Sequence, residues 1–397
     1  MLLRTPRPVA LALALLVAGC GPRGAVVLDD EPAADTDADT DPDTGDDSGG
    51  GTDTSGDTDT GGDTGGDTDA PLDPAPRTLD PWDAAVHVTG RADDSDPTRL
   101  PMHWPGTAFA VRFEAPSITV TIEDEGDNYL NVHVDGAAPV VLDLLPGVHD
   151  YVLAEGLAPG EHHIAVDKRT ETFEGDAVVS AITLGAGNRV LPADPAPTLR
   201  LEFYGDSITA GYSADCACNE DVPEYKNHGA TYATLVAEAL GGEHHAIALS
   251  GVGLVRSWWD AEMPDYWDGL RAGDGAWDFA DWPADIVVVN LGQNDYWLGV
   301  RGEIVRAYVG FLADVRAAHP DAEIFLALGS MDATAPGSPM PAYVEAAVEA
   351  RRDAGDTDVH AVIFAYNGWG GHPVADDHAA MAEALVEAID AAMPELR

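Results

Sequence analysis

The sequence predicts two folded domains: an all-β jelly-roll sandwich at residues 78–192 and an α/β domain with a mainly parallel sheet at 198–397. Short runs of alternating apolar residues, separated by turns that contain Gly or Pro, fill residues 87–184 and predict antiparallel strands. Beyond a Pro-rich joint at 191–197, apolar strands alternate with helical patterns. That alternation is typical of a parallel sheet covered by helices.

The sandwich is predicted from the period-two pattern of its strands. Phe109, Val111 and Phe113 alternate with other residues and so share one face of a strand. Similar short apolar runs lie at 118–122, 130–134, 140–142, 151–153, 163–166 and 178–182. Turn dipeptides such as Asp135-Gly136 separate them, and this arrangement favours a jelly roll.

The α/β domain is predicted from a change of period. Strands are expected at 199–204, 246–249, 285–291, 323–328 and 359–365. Helices are expected at 231–240, 303–317, 343–352 and 377–392. The run at 285–291 is almost wholly apolar, as expected for a strand buried on both faces.

The first 20 residues predict an export signal. Arg4 and Arg7 precede an apolar run at 11–17 that is too short to span a bilayer. Small residues lead directly to Cys20, a pattern that resembles a bacterial lipobox, in which the cysteine is lipidated. We therefore expect a lipid anchor at Cys20 and a location at the cell envelope or cell surface. An ordinary signal peptide that ends near a cysteine is the alternative.

Residues 21–77 are predicted to form a disordered acidic linker, because Asp, Thr and Gly dominate and little apolar surface is available to bury. The chain has 20 basic and 70 acidic residues, a formal net charge of −50. Such a chain offers no patch that neutralises phosphates, so nucleic acid is excluded as a partner and polyanionic substrates are disfavoured. We expect contact with a membrane only through the lipid anchor.

Polar residues follow several predicted strands, where reaction centres of α/β sheets lie. Ser207 comes after the first strand in Gly-Asp-Ser-Ile-Thr, and Asn294 comes after the third in Gly-Gln-Asn-Asp. Gly251 and Gly253 follow the second strand, and His372 follows the last. Each motif has a structural alternative, since Ser caps helices and Asn and Gly form turns.

Together these residues predict a serine esterase site. Ser207 is the expected nucleophile and His372 its base. The backbone N–H of Ser207, a glycine N–H from Gly253 (or Gly251) and the Asn294 amide would form an oxyanion hole. One such donor contributes roughly 3–4 kcal/mol to transition-state stabilisation.

In chain order, these Ser, Gly, Asn and His blocks resemble the SGNH hydrolases, or GDSL esterases, over about residues 199–397. The resemblance implies a flavodoxin-like three-layer domain. One departure is Trp369, which stands where that superfamily usually has the Asp that orients the catalytic histidine. We expect a Ser-His dyad in which a backbone carbonyl of the turn at 369–371 accepts the Nδ1–H. Asp376 or Asp377 is the alternative partner.

A sandwich in front of such a domain resembles carbohydrate esterase family two, with matches at 104–106 (Trp-Pro-Gly), 168–171 (Lys-Arg-Thr-Glu) and 205–212. The resemblance implies removal of O-acetyl groups from polysaccharides such as xylan and mannan, with a preference for sugar 6-O positions. The implied partner is an acetylated polysaccharide or oligosaccharide, and no metal or organic cofactor is implied. An SGNH lipase or general esterase is one alternative, and a non-catalytic carbohydrate-binding lipoprotein is the other.

Two further features stay open at this point. Cys216 and Cys218 form either a local disulfide or two free thiols. Aromatic residues lie close to the motifs in sequence, where they either stack on sugar rings or belong to the core. They are Trp258, Trp259, Tyr296, Trp297 and Trp369.

Overall fold

A computed structural model describes residues 71–273 and 275–396 of the protein. The predicted export signal, the lipidation residue Cys20 and most of the predicted linker lie outside these residues. Within the two described ranges, no helix has both the length and the apolar character needed to cross a membrane.

The N-terminal domain consists of short antiparallel strands in two sheets. They are β1 Arg77–Leu79, β2 Val86–Thr89, β3 Leu100–Met102, β4 Ala108–Glu114, β5 Ser117–Asp124, β6 Tyr129–Val134, β7 Val140–Asp143, β8 Gly147–Glu155, β9 His162–Lys168, β10 Ala177–Leu184 and β11 Arg189–Val190. One sheet has the order β1-β10-β5-β8, and β3 also pairs with β10. The other has the order β11-β4-β9-β6-β7, and β2 also pairs with β4.

The period-two alternation explains how these sheets enclose a core. Along β4, Phe109, Val111 and Phe113 are buried while their neighbours are half-buried, and β5 alternates in the same way. The inward residues of both sheets form one apolar cluster. The seven predicted strands of this domain are therefore confirmed, whereas the short strands β1, β2, β3 and β11 were not predicted.

The C-terminal domain alternates strands and helices. Its elements are β12 Arg200–Gly205, α1 Ser207–Ala210, α2 Tyr232–Leu240, β13 Glu243–Ala248, β14 Ile286–Asn290, α3 Gln293–Trp297, α4 Glu303–Ala318, β15 Glu323–Leu328, α5 Met340–Asp353, β16 Val359–Ile363 and α6 Ala375–Ala392. Every strand pair in the order β13-β12-β14-β15-β16 is parallel. The predicted strands and long helices are confirmed, although α5 begins at Met340 and α6 at Ala375, a little earlier than predicted.

The helices cover both faces of this sheet. Residues of α2 and α6 pack on one face with Leu201, Phe203 and Val288. Residues of α4 and α5 pack on the other face with Val287 and Val289. The strand order changes direction between β12 and β14, and ligands of such sheets bind at this point, beyond the carboxyl ends of the strands.

Buried polar contacts join the two domains. The guanidinium of Arg91, from the sandwich, lies 2.9 Å from the Glu202 carboxylate on β12 and donates to the Tyr204 hydroxyl at 2.9 Å. Glu171, also from the sandwich, accepts from Lys226 Nζ at 2.9 Å and from the backbone N–H of Ser250 at 2.7 Å. We call these residues (Arg91, Glu171, Glu202, Tyr204, Lys226 and Ser250) the domain junction.

Candidate active site

Ser207 stands at the point where β12 ends and α1 begins. Asp206 caps α1 by accepting the backbone N–H of Ile208 at 3.0 Å. Gly205 allows the close turn, because a Cβ at that position would lie 2.0 Å from Thr209 Oγ1. The turn therefore holds Ser207 at the carboxyl end of β12, where 5% of the residue is exposed.

His372 contacts Ser207 directly. Its Nε2 lies 2.8 Å from Ser207 Oγ, although the two residues are 165 positions apart in the chain. His372 lies in the connection between β16 and α6. The structure thus brings together the predicted nucleophile and base at hydrogen-bond distance, the arrangement that general-base activation of a serine requires.

Asn219 contacts the other side of the imidazole. Its Oδ1 lies 2.6 Å from His372 Nδ1 and also accepts the backbone N–H of His372 at 2.9 Å. An amide oxygen only accepts hydrogen bonds, so Nδ1 carries the proton and Nε2 presents its lone pair to Ser207. This tautomer is the one in which His372 acts as a base.

The expected backbone partner of His372 is therefore wrong. The Gly371 carbonyl, in the turn at 369–371, accepts from Asn367 Nδ2 at 2.8 Å. The alternative partner Asp377 accepts the backbone N–H of Val374 at 3.1 Å, at the start of α6. The Cys-Ala-Cys segment just before Asn219 was the one sequence signal of a constrained loop here.

The surroundings of His372 keep it neutral. Burial lowers the pKa of His372 to about 3, and the nearby charge of Asp221 only partly opposes this. The ring of Tyr212 packs against the imidazole, with 4.2 Å between ring centroids. At neutral pH the imidazole is thus unprotonated at Nε2 and available to accept a proton.

Asn294 is fixed beside the nucleophile by hydrogen bonds on both ends of its amide. Its Nδ2 donates to the Val252 carbonyl at 2.8 Å and lies 3.3 Å from Asp206 Oδ2, while its Oδ1 accepts from Trp258 Nε1 at 3.1 Å. Burial raises the pKa of Asp206 to about 7, with the charge of Asp295 adding to the effect. The three hydrogen bonds of Asn294 hold its amide beyond the carboxyl end of β14, as predicted.

The two candidate glycines differ in their contacts. The backbone N–H of Gly253 donates to Ser257 Oγ at 3.0 Å, so this donor is already engaged within its own loop. Gly251 has a φ of +81° and lies against Trp258 and Trp259. The Asp295 carboxylate accepts the backbone N–H groups at 254–256 and so holds the loop that carries these side chains.

Exposed aromatic side chains lie in the segments next to these motifs. The exposed fractions are 57% for Trp258, 52% for Trp259, 40% for Trp297 and 43% for Trp369. Phe173 from the sandwich is also exposed, and its ring centroid lies 4.9 Å from that of Trp259. We call these five aromatic residues, together with Asn219, the active-site rim. Tyr296, by contrast, packs against the core.

The described cysteines form a disulfide, and no metal site is found among the described residues. Cys216 and Cys218 form a disulfide, which decides between the two alternatives that the sequence left open. In residues 71–273 and 275–396, no group of three or more His, Cys, Asp or Glu side chains is placed to hold a metal ion.

Two family descriptions match the chain, one for each domain. Residues 88–194 match the family described as carbohydrate esterase 2 N-terminal. Residues 203–392 match the GDSL-like lipase/acylhydrolase family. The match thus covers the sandwich and the parallel-sheet domain in the order in which the chain contains them.

Known carbohydrate esterases are similar to this chain over most of its length. Cellulase/esterase CelE of Acetivibrio thermocellus is 31% identical over 328 residues, which are 79% of this chain and 40% of that protein. An acetylxylan esterase/glucomannan deacetylase of Cellvibrio japonicus is 26% identical over 317 residues, 76% of this chain and 87% of that protein. The solved structure of a family two carbohydrate esterase from Clostridium thermocellum, in complex with cellohexaose, has a TM-score of 0.74 at 30% identity and covers 78% of this chain and 99% of its own.

The matched families and the similar esterases identify the chain as a carboxylic ester hydrolase of the GDSL type. The chain spans less than half, 40%, of the length of CelE. It covers almost the whole, 99%, of the 30% identical esterase structure. The chain belongs to carbohydrate esterase family two.

Proposed function

We propose that this protein is an exported serine esterase that removes O-acetyl groups from xylan- or mannan-type polysaccharides, with a preference for sugar 6-O positions. A lipid on Cys20 anchors it at the cell envelope, as the lipobox-like sequence before that cysteine supports. The acidic linker at 21–77 would keep the domains at 78–192 and 198–397 away from the membrane surface.

One observation carries the proposed reaction: His372 Nε2 lies 2.8 Å from Ser207 Oγ, while Asn219 engages Nδ1 at 2.6 Å. Ser207 attacks the acetyl carbonyl carbon as His372 takes its proton. His372 then gives this proton to the departing sugar oxygen, which leaves an acetyl-enzyme. Water, deprotonated by His372, hydrolyses that ester and releases acetate.

Three donors are proposed to stabilise the tetrahedral oxyanion. Two are the backbone N–H of Ser207 and the Asn294 side-chain amide, whose orientation is set by its contacts with Val252 and Trp258. The third is the backbone N–H of Gly253 or of Gly251. The Gly253 N–H donates to Ser257 Oγ at 3.0 Å, so it would have to exchange this contact for the oxyanion, as the Asn294 amide would exchange its contacts with Val252 and Asp206. Gly251 is the alternative that the sequence had left open.

The substrate class is supported by the surface around the site. Exposed indole rings offer flat apolar faces that suit the C–H faces of sugar rings. Trp258 Nε1 donates to Asn294 Oδ1 at 3.1 Å, and Trp259 Nε1 donates to the Ser250 carbonyl at 2.7 Å, next to the candidate glycines. The strongly acidic chain favours a neutral acetylated polysaccharide over a polyanionic one. The names of the relatives, acetylxylan esterase/glucomannan deacetylase, agree with this class.

The proposed fold types follow from the strand orders. Taking β3 as the first strand, the orders β3-β10-β5-β8 and β4-β9-β6-β7 support a jelly roll, in which consecutive strands alternate between two four-stranded sheets. The parallel order β13-β12-β14-β15-β16 supports a flavodoxin-like sheet.

The test is release of acetate from acetylated xylan and acetylated glucomannan, measured beside hydrolysis of p-nitrophenyl acetate, butyrate and octanoate. Every assay includes the Ser207→Ala variant, which we expect to be folded and inactive. Loss of the nucleophile in a serine hydrolase lowers kcat by about 10⁶-fold. Acetate release that depends on Ser207, with no cleavage of octanoate, is the result that the proposal requires.

Other outcomes select the alternatives. Cleavage of the longer esters without release from polysaccharide would make the protein a lipase or general esterase. Binding of the polysaccharides without any ester cleavage would make it a carbohydrate-binding lipoprotein. An active Ser207→Ala variant would refute the nucleophile assignment.

A further inference from the structure

We propose that Asn219 is the positioning residue of His372, and that the Cys216–Cys218 disulfide keeps Asn219 in place. The inference rests on the proposed function, since it assigns a role only if His372 is the base. In this arrangement, a neutral amide from a distant loop stands where a catalytic triad has its orienting carboxylate. Asn219 and His372 are 153 positions apart in the chain.

The hydrogen bonds of Asn219 favour one tautomer of His372, the one that carries its proton on Nδ1. Its Oδ1 accepts both the backbone N–H of His372 and the ring Nδ1–H, at 2.9 and 2.6 Å. The two hydrogen bonds fix the position of the residue and the rotation of its ring at once. A ring held in this way directs Nε2 at Ser207 Oγ, which lies 2.8 Å away.

The loop that carries Asn219 has little packing of its own. Asn219 is exposed and has a φ of +56°, in the left-handed region that asparagine tolerates better than most residues. Directly before Asn219 the chain is closed by the Cys216–Cys218 disulfide, and Ser213 Oγ donates to the Cys216 carbonyl at 3.0 Å. The disulfide thus supplies the rigidity that a buried core supplies to Ser207.

Further contacts anchor this loop to both domains. Asp215 is ion-paired with Arg169 of the sandwich, and Asn227 Nδ2 donates to Asp215 at 3.0 Å. On the other side, the backbone N–H of Ala375, three residues after His372, donates to the Ala214 carbonyl at 3.1 Å. The base of the loop is therefore fixed, and the disulfide transmits this order to Asn219.

A neutral partner has a consequence for the pH dependence of the reaction. The groups that face His372 are Tyr212, Asp221, Lys226 and His378. Burial has the largest effect and lowers the pKa of His372; the charge of Asp221 raises this pKa, and that of Lys226 lowers it. A carboxylate at position 219 would add a negative charge at Nδ1 and so favour the imidazolium.

Two substitutions of Asn219 test the contribution of its side chain separately from that of its backbone conformation. Asn219→Gly keeps the left-handed conformation without strain and removes the amide. We expect its kcat for p-nitrophenyl acetate to fall about 10²-fold with little change in KM, since a misplaced catalytic group has an effect of this order. Asn219→Asp restores an acceptor, so we expect kcat to stay within about tenfold of the original.

The pH dependence of kcat/KM distinguishes a positioning role of Asn219 from a purely structural one. In the Asn219→Asp variant, the acidic limb of kcat/KM should shift to higher pH, because the added carboxylate raises the pKa of His372. The exposed neighbour Glu220, changed to Ala, is the matched control and should leave both kcat and the limb unchanged.

Several outcomes would overturn the role of Asn219. Wild-type kcat in Asn219→Gly would do so, as would an Asn219→Asp variant with the same loss as the Gly variant or with an unmoved acidic limb. The Ser207→Ala variant, run in parallel, keeps the two proposals distinguishable. If it is active, the proposed function fails; if it is inactive while Asn219→Gly is fully active, only this inference fails.

The disulfide is tested in two backgrounds. Replacement of Cys216 and Cys218 by Ser should lower kcat at least about tenfold in the full chain, because Asn219 is no longer held. In the Asn219→Gly background, the same replacement should have no further effect, since residues that act together are not additive. Wild-type activity of the Ser pair, or an equal loss in both backgrounds, would overturn the supporting role of the disulfide.

Discussion

The domain junction and the active-site rim use opposite means to hold polar groups in place. At the junction, the side chains of Arg91 and Glu202 are fully buried, and their charges are paired across the two domains. At the rim, Asn219 and the indole rings are exposed, and Asn219 meets His372 through hydrogen bonds at 2.6 and 2.9 Å.

The two regions are therefore expected to control different properties: the junction the free energy of unfolding, and the rim the catalytic rate. Removing one partner of a buried ion pair leaves an uncompensated charge in the interior, so the junction is expected to control the free energy of unfolding. An exposed side chain contributes little to that free energy, but a small displacement of a catalytic group lowers the rate steeply. Substitutions at the junction and at the rim should therefore give different experimental signatures.

The largest effect on stability is expected for Arg91→Ala. The variant leaves Glu202 buried without its charge partner, and such a loss costs about 3–5 kcal/mol of the free energy of unfolding. Thermal and urea unfolding would measure it. At a temperature where the variant is folded, kcat for p-nitrophenyl acetate should remain close to that of the original protein, since Arg91 does not contact the catalytic residues.

The effect of Arg91→Ala should also depend on pH. Burial alone would raise the pKa of Glu202, but the Arg91 guanidinium and His245 more than reverse this, so that the pKa lies below its usual value. A depressed carboxyl pKa contributes stability above the pKa of the unfolded chain, and this contribution is lost as the pH falls through the folded-state pKa. The difference in Tm between the two proteins should thus shrink in acid.

An exposed ion pair in the same domain provides the matched control. Arg99 and Glu123 form a pair at 3.0 Å, with 44% and 34% of their side chains exposed. We expect Arg99→Ala to cost no more than about 1 kcal/mol. Equal losses for the Arg91 and Arg99 variants would contradict the distinction between junction and surface.

The sequence predicted what depends on periodicity. The alternation of Phe109, Val111 and Phe113 identified a sandwich strand, and the apolar run at 285–291 identified a buried parallel strand. Ser207, Asn294 and His372 could be predicted as neighbours because parallel strands place their carboxyl ends at one edge of a sheet. Strands as short as β11 and β3 contain too few residues for a period to be recognised.

What depends on loop conformation could not be predicted. Asn219 contacts His372 from a loop that contains the Cys216–Cys218 disulfide, and Asn219 itself has a left-handed backbone conformation. The hydrogen bond from the Gly253 N–H to Ser257 Oγ, which bears on the choice between Gly251 and Gly253, also depends on the conformation of its loop. The burial of Arg91 was likewise invisible, since a single arginine in a loop is usually exposed.

The next effect in size is expected for Asn294→Ala. Loss of one oxyanion-hole donor lowers kcat about 10²–10³-fold, roughly 2.7–4 kcal/mol of transition-state stabilisation. KM should change little, because the donor acts mainly on the oxyanion of the transition state. A smaller fall in Tm for Asn294→Ala than for Arg91→Ala would support the distinction between residues that control the rate and residues that control stability.

Steady-state kinetics and thermal unfolding of Asn294→Ala would be measured together. A rise in KM at constant kcat would assign Asn294 to substrate binding rather than to the oxyanion hole. A loss of activity that parallels unfolding would instead make Asn294 a support for the Trp258 ring, whose Nε1 donates to its Oδ1 at 3.1 Å.

The smallest effect is expected for Asp377→Asn, which tests the alternative partner of His372. Asp377 lies in the first turn of α6, close to His372 in the chain, yet its carboxylate accepts the backbone N–H of Val374 at 3.1 Å. Loss of such a capping contact costs about 1 kcal/mol. Asn219, and not Asp377, contacts His372 Nδ1. The substitution should therefore leave the catalytic groups in place, and kcat should stay within about a few-fold of the original.

The exposed neighbour Asp376, changed to Asn, serves as the control and should affect neither Tm nor kcat. Removal of the orienting carboxylate of a triad lowers kcat about 10⁴-fold. A loss of that size in Asp377→Asn would make Asp377 the partner of the histidine during turnover, with the contact to Asn219 confined to the resting enzyme. A small loss in Asp377→Asn beside a large one in Asn219→Gly would instead mean that an exposed loop, and not the start of a helix, orients the catalytic histidine of this esterase.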